Sequence, residues 1–161
     1  SVAERAKSLA ALLAQYGKAD LVEDAASAAL WAAIRDVTPF AAAGARGALP
    51  VWRIVCPPAS GGAFGAKLAR ETGGDVYYDW GGGLIWAALP DAPDAHAAAL
   101  RAGLKEINGH AMLLRASETV RSGVDVFQPQ APGVAALSRR IKNSFDPRNI
   151  LNRGRMTRDS Q

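Results

Sequence analysis

Apolar residues recur along this chain at two different periods, and the switch from one to the other divides it. Over residues 2–15, Leu9, Leu12 and Leu13 fall on one side of a helix that Gly17 stops. Asp20, with Glu23 three residues on, has the spacing of a capping box and predicts a second helix reaching about residue 36. Ala26, Leu30 and Ile34 form its stripe, and Trp31 lies beside it. Residues 39–50 are rich in alanine and glycine between two prolines and read as a loop.

From residue 51 the pattern shortens to strand length. Residues 51–56 are β-rich and end at Pro57-Pro58. Residues 60–71 are helical, with Phe64 and Leu68 apolar and Gly73-Gly74 as the stop. Residues 75–80 form a strand around Val76-Tyr77-Tyr78, and Gly81-Gly82-Gly83 permits a tight reversal into a strand over 84–89. Residues 93–107 place Ala97, Leu100, Leu104 and Ile107 on one helical face, Asn108-Gly109 ends it, and 110–116 is the last strand. The order is βαβ-βαβ, which predicts an α+β, ferredoxin-like fold: a four-stranded antiparallel sheet with helices on one face. The other face must be covered or functional, because broad exposed apolar surfaces are unusual.

The helical period returns at the end. Leu137, Ile141 and Phe145 are spaced i, i+4, i+8, with Arg139, Arg140 and Lys142 off that stripe. Asp146-Pro147 closes the helix, since the residue before a proline is pushed out of the helical region. The segment beyond Pro147 is too short and too polar to bury itself. Charge sharpens this picture. From Val134 onward seven lysines and arginines stand against Asp146 and Asp159, a net +5, so within a total of +4 the rest of the chain is near −1. The body is not basic; the tail is a basic arm, either solvated or docked on another domain. Stacking aromatics do not accompany those charges, which argues against a nucleic-acid arm.

The 161 residues suit one domain with appended arms, and 49% apolar with 21% charged residues is ordinary for a globular protein. No run approaches the ~18 apolar residues of a membrane span. Residues 1–10 carry Glu4, Arg5 and Lys7 without the apolar run of a signal peptide, and the chain opens on Ser1, which reads as a processed chain or a piece of a longer one. The single cysteine, Cys56, lies in an apolar segment and reads as a buried, inert thiol in a reducing, cytoplasmic setting. His96 and His110 have no metal-type spacing, so no metal site is predicted.

Catalytic motifs are missing from the chain; no nucleophile elbow, phosphate loop or paired cysteines occur. Gly81-Gly82-Gly83 lies between strands rather than ahead of a helix, as a hairpin and not a phosphate cradle does. The strands are more suggestive. Arg53 alternates with Trp52 and Ile54, Arg115 opposes Leu114, and in the ferredoxin-like order the first and last strands are neighbours. Arg53 and Arg115 then fall on one face, as substrate-binding candidates whose planar forks suit a carboxylate. The alternative is that they pair with Asp79 or face solvent. Tyr77, Tyr78, Trp80 and Trp86 supply aromatic walls or simply core.

Three features carry a family resemblance. A helix followed by Phe145-Asp146-Pro147 and then Ile150-Leu151-Asn152-Arg153-Gly154-Arg155-Met156 resembles the end of FAD-linked oxidases of the vanillyl-alcohol oxidase type; it departs at Arg153, where that family usually has proline, and the turn is the less stiff for it. The stretches 75–86 and 109–116, with Val124-Asp125-Val126-Phe127-Gln128-Pro129-Gln130, are similar to the C-terminal part of the FAD-binding E subunit of bacterial glycolate oxidases, and residues 31–35 with Pro39-Phe40 fit it too. The resemblance implies a cap domain whose open sheet face covers the flavin on the substrate side. It implies FAD as cofactor of the full-length parent rather than of this chain alone, and an N-terminal FAD-binding domain onto which helix and tail return. It places Asn152, Gly154 and Arg155 near the cofactor as cofactor-binding residues. It further implies oxidation of glycolate or a related 2-hydroxy acid to the 2-oxo acid, beside a related flavoprotein subunit and an iron–sulfur subunit, in the cytoplasm or at a membrane through that complex.

The expected organisation is a helical segment over 1–48, a ferredoxin-like cap core over 49–117, and a loop, terminal helix and basic tail over 118–161. Against the flavoenzyme reading stands a stand-alone ferredoxin-like binding or protein-interaction module without catalysis. An RNA-binding version of that module is disfavoured, because residues 84–89 lack the basic and aromatic pattern of an RNA-recognition strand.

Overall fold

The computed structural model describes residues 1–154, and the chain divides into two compact units, Ser1–Pro39 and Phe40–Gln161. The first unit holds α1 (Val2–Leu13) and α2 (Asp24–Arg35). Ser1 caps α1 by accepting from the Glu4 N–H, and Gly17, at φ 147°, lets the chain leave it. The capping box foreseen at Asp20 does not form. Asp20 pairs instead with Lys18 at 3.1 Å, and α2 begins four residues later with Glu23 at its N-cap making no side-chain capping bond. Neither helix buries a single residue.

The second unit is the sheet. Its strands are β1 (Val51–Val55), β2 (Asp75–Asp79), β3 (Leu84–Ala88) and β4 (His110–Arg115), all antiparallel, in the order β2-β3-β1-β4. This is the ferredoxin-like order expected from the sequence. Helices α3 (Pro58–Thr72) and α4 (Ala97–Glu106) connect the strands in the two βαβ halves and lie on one face. Alternation sends Trp52, Ile54, Ile85, Ala87, Ala111 and Leu113 toward the helices, where they meet Leu68, Leu100 and Leu104 in one buried cluster. Trp52 is fully buried, so its indole N–H needs a partner and donates to the Ala95 carbonyl at 2.9 Å.

Two boundaries differ from the sequence expectation, for local reasons. The helix expected from residue 93 starts at Ala97, because Ala95 and His96 take left-handed conformations (φ 49° and 63°). Asp94 stabilises that turn by accepting from the N–H groups of His96 and Ala98. A short helix, α5 (Glu118–Gly123), occupies part of the expected loop; Ser117 caps it, and it delivers Val120 and Val124 to the core.

The last helix, α6 (Pro132–Phe145), follows its predicted pattern, yet it buries no residue. Val134, Leu137, Ile141 and Phe145 are exposed, Phe145 by 84%. Among the described residues, no helix is long and apolar enough to cross a membrane.

Candidate functional site

Opposite the helices, the same alternation points Arg53, Val55, Trp86, Tyr77, Met112 and His110 to the second sheet face, with Arg53 directly across from Trp86 on β3 and Met112 on β4. Since β1 is an inner strand, Arg53 stands near the middle of that face. The chain itself covers one end. Phe40 is buried with its ring 5.4 Å from Tyr77, and Tyr77 lies 6.4 Å from Trp86. Burial raises the Tyr77 phenol to about 12, with the Asp79 charge adding to the effect, so the ring stays neutral throughout the physiological range. Ala88 and Val51, at the same end, are buried.

Arg115 is what ties that cover down. Its Nε donates to the Leu49 carbonyl at 3.0 Å, Nη1 to Phe40 at 2.7 Å and Nη2 to Arg46 at 2.7 Å. A register shift next to Val51 brings Arg115 opposite Val51, so the bulge in β4 turns it toward the side of Arg53. Arg46 closes the arrangement by pairing with Asp75. Each nitrogen of the Arg115 guanidinium thus serves a backbone carbonyl, and the fork acts as a clip for residues 40–49.

Arg53 is in the opposite state. Among the described residues its guanidinium has no hydrogen bond or ion pair; its contact is with Trp80, whose ring centroid lies 5.2 Å from its central carbon. Asp79, which could have paired with it, accepts instead from the Trp80 N–H at 2.7 Å. The two arginines named from sequence therefore share a face and differ in what they can still bind: Arg115 is committed to the backbone and Arg53 has its donors unspent.

The hairpin that carries Trp80 is fixed by close backbone approach. Trp80, Gly81 and Gly82 all have positive φ (54°, 61° and 97°). A Cβ on Gly61 of α3 would lie 1.9 Å from the Gly82 carbonyl oxygen, and one on Gly65 would lie 2.5 Å from the Tyr78 hydroxyl. These glycines let α3 pack onto the hairpin. They are filled by the chain and leave no cradle for a phosphate, while Pro57 and Pro58 remove N–H donors from the start of α3. The start of α3 and the glycine hairpin do not fit the pyrophosphate of FAD.

The histidines and the cysteine take structural positions. His96 Nε2 lies 3.2 Å from the Pro90 carbonyl, His110 is exposed at the start of β4, and Cys56 is a buried thiol whose pKa is raised by that burial. Arg101, which the sequence did not single out, sits 5.5 Å over the Trp52 ring and donates to the Asp125 and Phe127 carbonyls, pinning the segment that leads to α6. Its Nε and the Gln128 Oε1 are buried without a partner beside an open cleft of about 630 Å³. Burial is the main cause that lowers the Arg101 pKa.

Beyond α6 the chain forms a compact hook around Asp146, which is only 6% exposed. Its carboxylate accepts from Lys142 Nζ at 2.8 Å and from the N–H groups of Ile150 and Leu151 at 3.0 Å each. The Lys142 bond, joined by the two backbone donors, lowers the Asp146 pKa to about 2. Lys142 also donates to Asn149 Oδ1 at 2.6 Å. The hook presents Ile150 and Leu151 outward, on the continuation of an exposed apolar stripe. Asn152 and Gly154 come next, in left-handed conformations (φ 48° and 69°), exposed to solvent. Arg155 lies outside the described residues.

Residues 129–156, which contain α6 and this hook, match the family model for FAD linked oxidases, C-terminal domain. That match supports a C-terminal domain of an FAD-linked oxidase, and with it a flavoprotein, oxidoreductase context in which FAD belongs to the parent enzyme. No curated protein and no solved structure matches the chain.

Proposed function

We propose that this chain is the substrate-side C-terminal domain of an FAD-linked oxidase that converts glycolate, or a related 2-hydroxy acid, to the 2-oxo acid. The observation that carries the reading is a conjunction. The segment matching the family ends in an outward apolar hook, and the sheet leaves one arginine, Arg53, with an unspent fork on its second face.

In this reading FAD, the oxidant, is held by a separate FAD-binding domain, in keeping with the filled glycines of α3 and the hairpin. Leu137, Ile141 and Phe145 of α6, with Ile150 and Leu151 of the hook, dock on that domain. The second sheet face then closes over the substrate. Arg53 takes the carboxylate, and a half-buried arginine in a site closed from water gives a stronger charge-assisted pair than an exposed one. Trp86 and the neutral Tyr77 form an apolar floor that excludes water. Asn152, Gly154 and Arg155 approach the cofactor from the docked tail. Electrons leave through a related flavoprotein subunit and an iron–sulfur subunit of a cytoplasmic complex. The chain alone turns nothing over.

The test uses the chain joined to its FAD-binding domain, mixed anaerobically with glycolate. Bleaching of the oxidised-flavin absorption is expected, and Arg53→Met should retain the flavin yet bleach at least about 100-fold more slowly, the loss of one charge-assisted contact of roughly 3 kcal/mol. Unchanged bleaching in Arg53→Met would remove Arg53 from the reading, and absence of any bound flavin would remove the reading itself.

A further inference from the structure

Trp80 stands in a conformation that a tryptophan has no intrinsic reason to adopt. Its φ is 54°, in the left-handed region where a Cβ crowds the backbone and glycine or asparagine is the easier choice. The residue is also 57% exposed, so burial of the indole in the core does not account for it. Everything around it nonetheless holds that geometry. The Asp79 carboxylate accepts from its N–H at 2.7 Å, the Gly83 N–H donates to its carbonyl at 3.1 Å, and Gly82 is seated against Pro58 and Gly61 of α3. Strain that the surroundings over-determine is a mark of a functional position. What it produces here is a cation–π contact, with the central carbon of the Arg53 guanidinium over the indole, 5.2 Å from the ring centroid.

We infer that Trp80 is a positioning residue for Arg53, holding its guanidinium over the indole so that the N–H fork stays aimed and unspent for the carboxylate of a 2-hydroxy acid. This rests on the reading of Arg53 as the carboxylate-binding group and adds to it the element that orients that group. The chemistry explains the choice of tryptophan. A cation–π contact holds the guanidinium by the face of the indole and supplies no hydrogen-bond acceptor to its donors, whereas a carboxylate at the position of Trp80 would occupy the fork. Asp79 is the nearest such competitor in sequence, and its bond to the Trp80 backbone keeps it employed elsewhere. The free rotation of an unsupported arginine side chain would otherwise have to be frozen on binding; one held over an indole is already ordered.

The experiment is a nuclear magnetic resonance titration of the 161-residue chain with sodium glycolate, against sodium chloride at matched ionic strength, observing the Arg53 Nε–H signal. That signal is assigned by its loss in Arg53→Gln. In the free wild-type chain the indole ring current displaces it from the exposed arginines, and glycolate moves it saturably, with half-saturation on the order of ten millimolar for one water-exposed charge-assisted contact. Trp80→Leu should erase the displacement and weaken glycolate about three- to fivefold. Trp80→Phe, which keeps an aromatic face, should restore most of both, and the unfolding midpoint should stay within about 2 °C in either variant, since the indole is mostly exposed. Equal glycolate affinity in wild type and Trp80→Leu overturns the role of Trp80. A wild-type signal that responds identically to glycolate and chloride overturns the carboxylate reading of Arg53, and the positioning role falls with it.

Discussion

The sheet unit and the helices α1, α2 and α6 are made of the same kinds of residue and end in opposite states. In the sheet, apolar positions close on one another: Trp52, Ile54, Ile85, Leu104 and Leu113 are wholly buried, and the one buried indole N–H has its acceptor. In the three helices the apolar stripes are just as regular, yet none of them buries a residue, and Trp31 and Phe145 are 63% and 84% exposed. Periodicity of either kind is a statement that a face wants covering. It says nothing about where the cover comes from. For the sheet the cover is local, supplied by the helices that connect its own strands; for α6 it is proposed to be an FAD-binding domain.

The widest separation between the two regions lies in core truncations. Trp52→Ala should cost about 3–5 kcal/mol in urea unfolding, because it opens a cavity and strands the Ala95 carbonyl. Ile141→Ala on α6 should change the stability of the isolated chain by less than about 0.5 kcal/mol. A cost above roughly 1 kcal/mol for Ile141→Ala would mean that α6 is packed in the isolated chain, and the comparison would fail.

Next comes the contrast between the two arginines. Arg115→Met leaves three carbonyl acceptors without their donor and should destabilise the sheet unit by about 2–4 kcal/mol. It should also admit protease to residues 40–49. Arg53→Gln, by contrast, should stay within about 0.5 kcal/mol of wild type. Gly61→Ala sharpens the boundary from the other side. It drives a methyl group into the Gly82 carbonyl and should cost about 1–3 kcal/mol by urea titration. Gly133→Ala in α6, where nothing lies within 4 Å, should be neutral or slightly stabilising.

The smallest effect is local and depends on pH. Asp146 has a folded-state pKa of about 2 against an ordinary 3.8, so it holds fewer protons folded than unfolded over that interval. Its stabilisation of the hook is complete above about pH 4 and is lost as the pH falls through about 2. Amide exchange of Ile150 and Leu151 should accelerate over that window, while the amides of β1 and β3 stay protected. Asp146→Asn should bring the faster exchange to neutral pH.

The difference in cover also explains what the sequence disclosed. The strands are bounded by Pro50, Pro57, the glycines 81–83 and Pro90, so each is legible locally; a short turn accounts only for the β2-β3 pairing, while β1 meets β3 and β4 across the connecting helices. Nothing distant was needed to read the βαβ-βαβ order. The capping box at Asp20 misled because Lys18, two residues away, competes for the same carboxylate. α5 was invisible because six residues are too few to show a helical period. At the candidate site, strand order made the strands of Arg53 and Arg115 neighbours, but strict alternation from Leu113 would send Arg115 to the helix side, and it is the β4 bulge that brings it to the face of Arg53. Their fates were not legible, because the three acceptors of Arg115 lie 66 to 75 residues earlier in the chain and the β4 bulge that aims it leaves no mark in the sequence. The left-handed Trp80 was equally hidden; the glycines after it announced a turn and not the strained tryptophan at its start.

The division between a sheet that covers itself and helices that wait for cover can be read by amide hydrogen exchange of the 161-residue chain, alone and again with the FAD-binding domain supplied in trans. Alone, the amides of β1, β3 and β4 should exchange only through global unfolding, while those of α1, α2 and α6 exchange orders of magnitude faster. With the FAD-binding domain, protection should rise over α6 and the hook and along the second face of the sheet around Arg53 and Trp86. Slow exchange of α6 in the isolated chain, or exchange of α6 unchanged by the added domain, would contradict that division.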